Sequence, residues 1–174
     1  LQGVQAAVLL AAGDREGDPL RLLKSPILGL DETAAAETEN YCFVWSVRPS
    51  GWNTPFLNHP DGMTDRWTQE DKERLQRIEA CRRAVTEPVE ALRAAMRGGG
   101  DGFAAGLYRW LCSVGAAQNL TRFAAPMEEN ARREFLAQQS LLWDKLMETL
   151  DLFAAVGKGL SFTPRRIVEL LDLA

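Results

Sequence analysis

The sequence predicts an all-α protein, an irregular bundle of about six or seven helices. Three observations indicate this fold class. The chain is rich in Ala, Leu, Arg and Glu, which favour helix over strand. Apolar residues recur every three or four positions through two stretches, about 68–97 and about 126–156. Finally, the sequence contains neither the alternating pattern of a strand nor an internal repeat.

Length and composition predict a single globular domain, residues 1–174. Hydrophobic residues make up 46% of the chain and charged residues 25%, which argues against disorder. The formal net charge of -4 argues against a protein that coats nucleic acid, although it allows a local basic patch. The longest apolar runs are too short to cross a bilayer, so we expect a cytoplasmic protein without membrane contact.

The first helices carry clear end signals. The run Val4 to Ala12 ends at Gly13, a left-handed C-cap position, and it resembles the tail of a helix in a piece cut from a longer protein. Asp18 is the expected N-cap of the next short helix, with Pro19 at its first position. Asp31 is expected to cap a third helix.

The third helix is predicted from Glu32 to about Val47. Its second half is almost continuously apolar, so we expect Tyr41, Phe43 and Trp45 to lie in the core. Residues 50–67 contain prolines and glycines without periodicity, which predicts an ordered loop that carries aromatic side chains.

Two long helices follow. Thr68 and Asp71 are expected to cap the first, and Pro88 predicts a kink or a one-turn break near Glu87. Beyond it we expect a flexible joint at 98–100, a helix 103–114 capped by Asp101, and a loop through Asn119. The second long helix, about 126–156, is expected to end at a Gly157 C-cap, and a last helix to begin at Thr163-Pro164.

Residues suited to catalysis or metal binding are scattered. His59 is the only histidine, and the cysteines form no Cys-x-x-Cys pair, which argues against a zinc site or a catalytic base. The glycine-rich stretch 98–102 lacks the Lys-Ser or Lys-Thr of a phosphate-binding loop. One helical face carries three carboxylates that fit a solvated face better than a metal site: Asp144, Glu148 and Asp151. The sequence therefore predicts no catalytic, cofactor-binding or metal-ligating residue.

The loop after the third helix holds the candidate nucleic-acid contacts, Arg48, Trp52 and Arg66. Guanidinium groups can contact phosphates, and an indole can stack on an unpaired base. The alternative is that Trp52 and Trp67 close the core beneath the loop. Paired arginines elsewhere are expected on exposed helix faces with weak ion pairs, with a phosphate-facing patch as the alternative: Arg82-Arg83, Arg132-Arg133 and Arg165-Arg166.

Two stretches resemble a known family. Residues 18–30, Asp-Pro-Leu-Arg-Leu-Leu-Lys-Ser-Pro-Ile-Leu-Gly-Leu, are similar to the (V)xRLLKTxLxGL segment of AddB, a subunit of bacterial ATP-dependent helicase/deoxyribonucleases. Residues 39–52 resemble that family's ENYxLxxGIRGxxW segment, in the same order and at the same spacing. The chain departs from the pattern at Ser46, where the family usually has Gly, and in a longer loop after Trp52.

The resemblance implies a role within a larger protein. Its parent would have two helicase-like lobes with helical insertions and a nuclease domain with an iron–sulfur cluster, and this chain would be the insertion of the second lobe. The family uses ATP and magnesium and acts with an AddA-like subunit on double-strand DNA ends and single strands during recombinational repair. The family's ATP-site motif, cluster cysteines and nuclease carboxylates have no counterpart here, so the resemblance implies no catalytic residue in this chain.

We therefore expect a structural, DNA-channel domain of an AddB-like helicase/exonuclease subunit. The alternative is a free-standing helical module for protein–protein interaction that binds no nucleic acid. A small metal-dependent helical enzyme is a third possibility that lacks the necessary ligands.

Overall fold

Helices account for all the regular structure in residues 1–156 and 166–169, the part of the chain that the computed structural model describes. The all-α class is therefore confirmed. Residues 166–169 are helical. The α-helices are α1 Gln2–Ala12, α2 Pro19–Leu23, α3 Glu32–Val44, α4 Gln69–Met96, α5 Gly99–Ser113, α6 Ala116–Ala124 and α7 Glu129–Val156. Two 3-10 turns, Pro26–Leu28 and Pro49–Asn53, lie between them.

The predicted ends of the first helices are confirmed. Gly13 has a φ of 69°, and α1 ends there in a left-handed turn. The Asp18 carboxylate accepts the Leu20 N–H at 2.9 Å, and the Asp31 carboxylate accepts the Ala34 N–H at 2.9 Å. These caps act within three residues, so the local sequence suffices to predict them.

Helix α3 ends at Val44, earlier than expected. Ser46 has a φ of 48°, and the Val47 N–H donates to the Cys42 carbonyl at 2.8 Å, which closes the helix in a Schellman motif. Ser46 thus holds a backbone conformation that favours glycine, the residue usual in the resembled family. Tyr41 is buried, but Phe43 is 83% exposed, so its predicted core position is wrong. The loop packs over only one side of the helix end.

Helix α4 is long, as predicted, and runs unbroken through Pro88. Its start is a capping box in which Asp71 takes the place of the usual Glu or Gln. The one-turn break expected near Glu87 is absent. Pro88 removes a single N–H donor, and Val85 and Val89 on either side of it remain buried in the core.

The glycine stretch is a tight turn into α5, which corrects the predicted joint. Helix α5 begins at Gly99, whose φ is 83°, so Asp101 lies inside the first turn and the predicted helix start at Phe103 is too late. The helices α4 and α5 then cross closely at Gly106. A Cβ added there would lie 2.3 Å from the Cβ of Ala95.

The predicted loop around Asn119 is helix α6, a further correction. The buried Asn119 amide donates to the Val114 carbonyl at 2.8 Å and to the Ile27 carbonyl at 3.1 Å. Asparagine commonly favours loops because its side chain bonds local backbone, yet here those bonds tie α6 to the first 3-10 turn. The expected Gly157 cap and the Thr163-Pro164 helix start lie outside the described residues.

A continuous core joins α1, α4, α5 and the second half of α7. Its largest fully buried side chains include Leu22, Ile78, Leu92, Leu107 and Tyr41. Helix α7 begins at Glu129 rather than Pro126, and its apolar stripe is buried only in its second half, at Leu146, Leu150 and Phe153. In the described part of the chain, no helix combines the length and apolar character that a bilayer-spanning segment needs.

Candidate nucleic-acid interface

We call residues 45–67 the aromatic loop. Its backbone is hydrogen-bonded to an ion pair that lies within α4. The Glu79 carboxylate accepts the Phe56 N–H at 2.9 Å and both Arg82 Nε and Nη2, at 2.7 and 2.6 Å. Arg82 Nη1 donates to the Trp52 carbonyl at 2.6 Å. Arg82 is only 8% exposed, so the interpretation of this arginine as part of an exposed face is wrong.

The environment of Glu79 keeps it charged. Burial by itself raises the pKa of this carboxyl, but the Arg82 guanidinium and the Phe56 N–H act against burial, and the net result is a pKa below the ordinary value of 4.5. A charged Glu79 can accept all three hydrogen bonds at once. The pair therefore serves as a fixed anchor for the loop.

Aromatic rings fill the space beneath the loop. Phe56 stacks on Tyr41 at a centroid distance of 4.9 Å and meets the edge of Trp52 at 5.6 Å. The Tyr41 hydroxyl accepts the Asn58 N–H at 3.0 Å. Trp52 is 2% exposed, so its ring presents no face to solvent. Its burial favours the core role that the sequence left open and argues against stacking on a base.

Arg48 and Arg66, the other two candidate contacts, are both exposed. Neither guanidinium forms an ion pair with any residue that the structure describes, so both are available to an anion. Trp67 follows Arg66 directly and is 38% exposed. The centroid of its ring lies 4.5 Å from that of the His59 ring. The accessible indole of the loop is therefore Trp67 rather than Trp52.

His59 is the internal support of the loop. It is buried; Nδ1 accepts the Asp61 N–H at 3.1 Å, which assigns the proton to Nε2, and Nε2 donates to the Arg66 carbonyl at 3.1 Å. The indole Nε1 of Trp45 donates to the His59 carbonyl at 2.9 Å. With both ring nitrogens engaged by backbone, His59 acts as a structural residue.

The fold brings His59, Asp61 and Asp71 together, a cluster that sequence reasoning missed. One ligand atom of each lies within 4.8 Å of the others, a spacing that can suit a metal ion. Arg74 already supplies the positive charge, since its Nη2 binds Asp61 Oδ1 and lies 3.4 Å from Asp71 Oδ1. A metal ion would have to displace this guanidinium, so the cluster fits an ion-pair network better.

Asp71 also closes the capping box. Its Oδ2 accepts the Thr68 hydroxyl at 2.6 Å and the Thr68 N–H at 2.9 Å. These bonds, together with the positive charge of the Arg74 guanidinium, hold the pKa of Asp71 below its ordinary value of 3.8. The carboxylate of Asp71 thus both caps the start of α4 and contacts the residues that hold the end of the aromatic loop.

The three carboxylates that the sequence places on one helical face are exposed on α7. Glu148 pairs with Lys145 at 2.8 Å, while Asp144 and Asp151 are exposed on the same helix. The three cysteines are free thiols. Burial raises the pKa of Cys42 to about 11, so this thiol stays protonated and unreactive at neutral pH.

Comparison with known proteins identifies similar chains of a single kind. No protein-family model matches the sequence. A protein from Ruminiclostridium cellulolyticum is 29% identical over 75% of this chain, one from Acetivibrio thermocellus 23% over 88%, and one from Clostridium novyi 21% over 88%. All three are named as the B subunit of an ATP-dependent helicase/deoxyribonuclease. The resemblance that the two early motifs indicate is therefore confirmed.

The chain corresponds to a small part of these relatives. The matched regions span 12%, 14% and 13% of the three proteins. Most of this chain is thus similar to about one eighth of a much longer subunit.

Proposed function

We propose that this chain is a helical segment of an AddB-like ATP-dependent helicase/deoxyribonuclease subunit. The observation that carries the proposal is its similarity, over 75–88% of its length, to three relatives that share this name. In this proposal the parent subunit works with an AddA-like subunit on double-strand DNA ends, ahead of recombinational repair. The segment braces the DNA path, and it binds neither ATP, magnesium nor an iron–sulfur cluster itself.

Several contacts support an architectural role. The single histidine, His59, is hydrogen-bonded to backbone through both ring nitrogens. The buried carboxylate of Asp71 caps α4, and the half-buried carboxylate of Glu79 anchors the aromatic loop. These groups hold the backbone in place. Their hydrogen bonds to the protein leave them unavailable for proton transfer to a substrate.

We place the DNA contact of this proposal on the aromatic loop. Arg48 and Arg66 supply exposed guanidinium groups for phosphates, and the partly exposed ring of Trp67 follows Arg66 in the chain. Trp52 contributes from below, since its carbonyl binds Arg82 and its ring packs on Phe56. The loop is thereby held in one conformation before DNA arrives, which lowers the entropic cost of binding.

Binding of a labelled forked DNA to the purified chain tests this role. We expect measurable affinity that falls steeply with salt, because phosphate contacts release counterions. Arg48→Ala and Arg66→Ala should each weaken binding and lower the slope of log K against log salt by roughly 0.7–0.9, the value of one phosphate contact. The matched control is Arg83→Ala, because Arg83 is exposed but already paired with Glu87.

Two results would contradict the proposal. If both loop variants bind like Arg83→Ala, the aromatic loop is not the contact surface. Metal-dependent nuclease activity of the purified chain would overturn the architectural role.

A protein-interaction module remains the second candidate, favoured by three apolar side chains around the same loop. Phe43 is 83% exposed, Leu57 74% and Met63 97%. Such exposure is typical of surfaces that another protein covers. This candidate predicts no salt-dependent DNA binding, and association with an AddA-like subunit that Phe43→Ser and Met63→Ser weaken.

A further inference from the structure

The 18–30 segment, one of the two stretches that resemble AddB, has exposed charges that the core does not explain. Its apolar residues Leu22, Leu23 and Ile27 are buried. Arg21 and Lys24 alternate with them and are exposed. Packing accounts for the buried half of the segment, and the cations need a separate explanation.

These cations line two adjacent cavities, which together we call the α2 groove. One cavity of about 590 Å³ lies between α2, the start of α1 and α7, and Arg21 and Phe135 are among its lining residues. A second cavity of about 440 Å³ lies between the first 3-10 turn, α3 and α6, where Arg122 and Phe123 line it. Both linings include Lys24, Ser25 and Pro26, so the two cavities lie side by side.

The groove combines positive charge with an accessible aromatic ring. Lys24 Nζ forms an ion pair with Glu39 Oε1 at 2.5 Å, whereas Arg21 forms no ion pair with a described residue. Among the described residues, Arg122 bonds to a neutral amide alone, through Nη1 and Asn119 Oδ1 at 3.5 Å. Glu32 is the single acidic side chain that the described residues contribute to the two linings. The groove is therefore locally basic on a chain whose net charge is -4.

Phe123 gives the groove a surface for a flat ring. The Phe123 side chain is 43% exposed, and its ring contacts that of Phe135 at a centroid distance of 5.8 Å. Proteins that bind unpaired nucleic-acid strands commonly place cations along the sugar–phosphate backbone and an aromatic ring against a base. In a duplex the bases are stacked on one another and unavailable to such a ring, so an unpaired strand fits best.

The walls of the groove are held at a fixed distance. A Cβ at Gly3 would lie 2.2 Å from the Ser25 hydroxyl oxygen, so α1 packs directly on the turn after α2. On the other side, Asn119 binds the Ile27 carbonyl and joins α6 to the same turn. The groove is thus present before any ligand binds.

We infer that the α2 groove binds an unpaired DNA strand, with Arg21, Lys24 and Arg122 on the phosphates and Phe123 against a base. This inference rests on the proposed function and names the form of DNA that a second surface, separate from the aromatic loop, receives. The strand is held by charge and stacking, so binding is tolerant of sequence.

The test is fluorescence anisotropy of the purified chain with a labelled oligothymidylate of about 16 nucleotides, the upper site size of common single-strand binding folds. Arg21→Glu and Arg122→Glu should each weaken binding by about tenfold and reduce its salt dependence. Phe123→Ala should weaken binding at least fivefold with an unchanged salt slope, because it removes about one stacked base. The matched control is Arg97→Glu, which changes an exposed cation outside both linings.

Three outcomes separate this inference from the proposed function. If Arg21→Glu and Arg122→Glu bind like Arg97→Glu while Arg48→Ala weakens binding, the groove assignment is overturned and the loop surface stands. If the chain binds no DNA of any form, both fall. If polyglutamate displaces the oligothymidylate as well as unlabelled oligothymidylate does, the groove is a site for acidic peptides and the nucleic-acid assignment is overturned. Far-UV circular dichroism of each variant confirms that it is folded.

Discussion

The Arg82 guanidinium is surrounded by acceptors, namely both carboxylate oxygens of Glu79 and the carbonyl of Trp52. Arg82→Met keeps much of the side-chain volume but leaves these acceptors without a donor. We expect the free energy of unfolding to fall by about 2–4 kcal/mol, the range for breaking a largely buried pair. Urea denaturation at neutral pH measures it.

The neighbouring arginine provides the control. Arg83 makes the same kind of contact with Glu87, but both side chains are 60% exposed, and exposed pairs contribute little to stability. Arg83→Met should leave the urea midpoint almost unchanged. Equal losses for the two variants would show that the Arg82 pair does not anchor the aromatic loop.

Asp71 predicts a pH-dependent contribution to stability. Its pKa in the folded protein lies below 3.8, chiefly because of the hydrogen bonds from Thr68. The unfolded chain therefore binds the proton more readily, so the contribution is complete above pH 3.8 and is lost as pH falls through the lower folded value. We expect Asp71→Asn to be less stable than the native chain at neutral pH, with the difference shrinking in acid.

Denaturation midpoints at about pH 7 and about pH 3 measure this shrinkage. Asp144→Asn is the control, since this exposed carboxylate accepts no hydrogen bond from a described residue. A difference for Asp71→Asn that is the same at both pH values would contradict the role assigned to its carboxylate.

Residue roles could be predicted from sequence where the partners are close in the chain. Asp18, Asp31 and Thr68 cap helices through contacts of two or three residues, and all three were predicted. Arg82 and the Trp52 carbonyl are 30 positions apart, so no local pattern indicates their bond.

Among the helices, the crossing of α4 and α5 depends on a residue without a side chain. Gly106→Ala would gain up to about 1 kcal/mol of helix propensity. The new Cβ would lie 2.3 Å from Ala95 Cβ, on a neighbour that cannot rotate away. We expect the clash to outweigh the gain, with a net loss of about 1–2 kcal/mol in thermal or urea unfolding.

A second substitution tests the cause of that loss. Ala95→Gly in the same chain removes the opposing Cβ, so the double variant should be more stable than Gly106→Ala alone despite another helical glycine. If the two losses simply add, the helices do not meet at this point.

Helices with strong end signals could be predicted, and their exceptions have physical causes. The first long helix was expected at about 68–97 and spans Gln69–Met96. Helix α6 was missed because Asn119 suggests a loop, and its bond to the distant Ile27 cannot be seen locally. Phe43 was misplaced because apolar character alone does not indicate which side of a helix end the chain will cover.

At the scale of the molecule, one core connects the helices from α1 to α7 among the described residues, and the single domain that the sequence predicts stays a prediction. We expect the chain to unfold in one cooperative step, with coincident transitions in tryptophan fluorescence and far-UV circular dichroism. The first half of α7 is the part that could unfold separately, since its apolar side chains are poorly covered: Leu141 is 63% exposed and Leu142 36%. A separate early loss of helical signal would show that this half unfolds on its own.

The two proposed contact surfaces could be predicted from the sequence only in part. The aromatic loop is contiguous in sequence, so its arginines stand out from the residue pattern alone. The α2 groove takes Arg21 from α2 and Arg122 from α6, which the fold brings together across most of the chain. A net charge of -4 conceals such a patch, because it averages over the whole surface.

The contact between Gly29 and Asn119 has a consequence for descent. Gly29 has a φ of 59°, and a Cβ there would lie 2.3 Å from the Asn119 side-chain oxygen. A side chain at Gly29 would meet Asn119, and it would also strain this left-handed backbone whatever residue stands at 119. Across homologous chains we therefore expect glycine to be retained at 29, which an alignment can check without reference to any structure. Because Asn119 also lies beside Arg122, a change at 119 would alter the groove in the lineages that carry it.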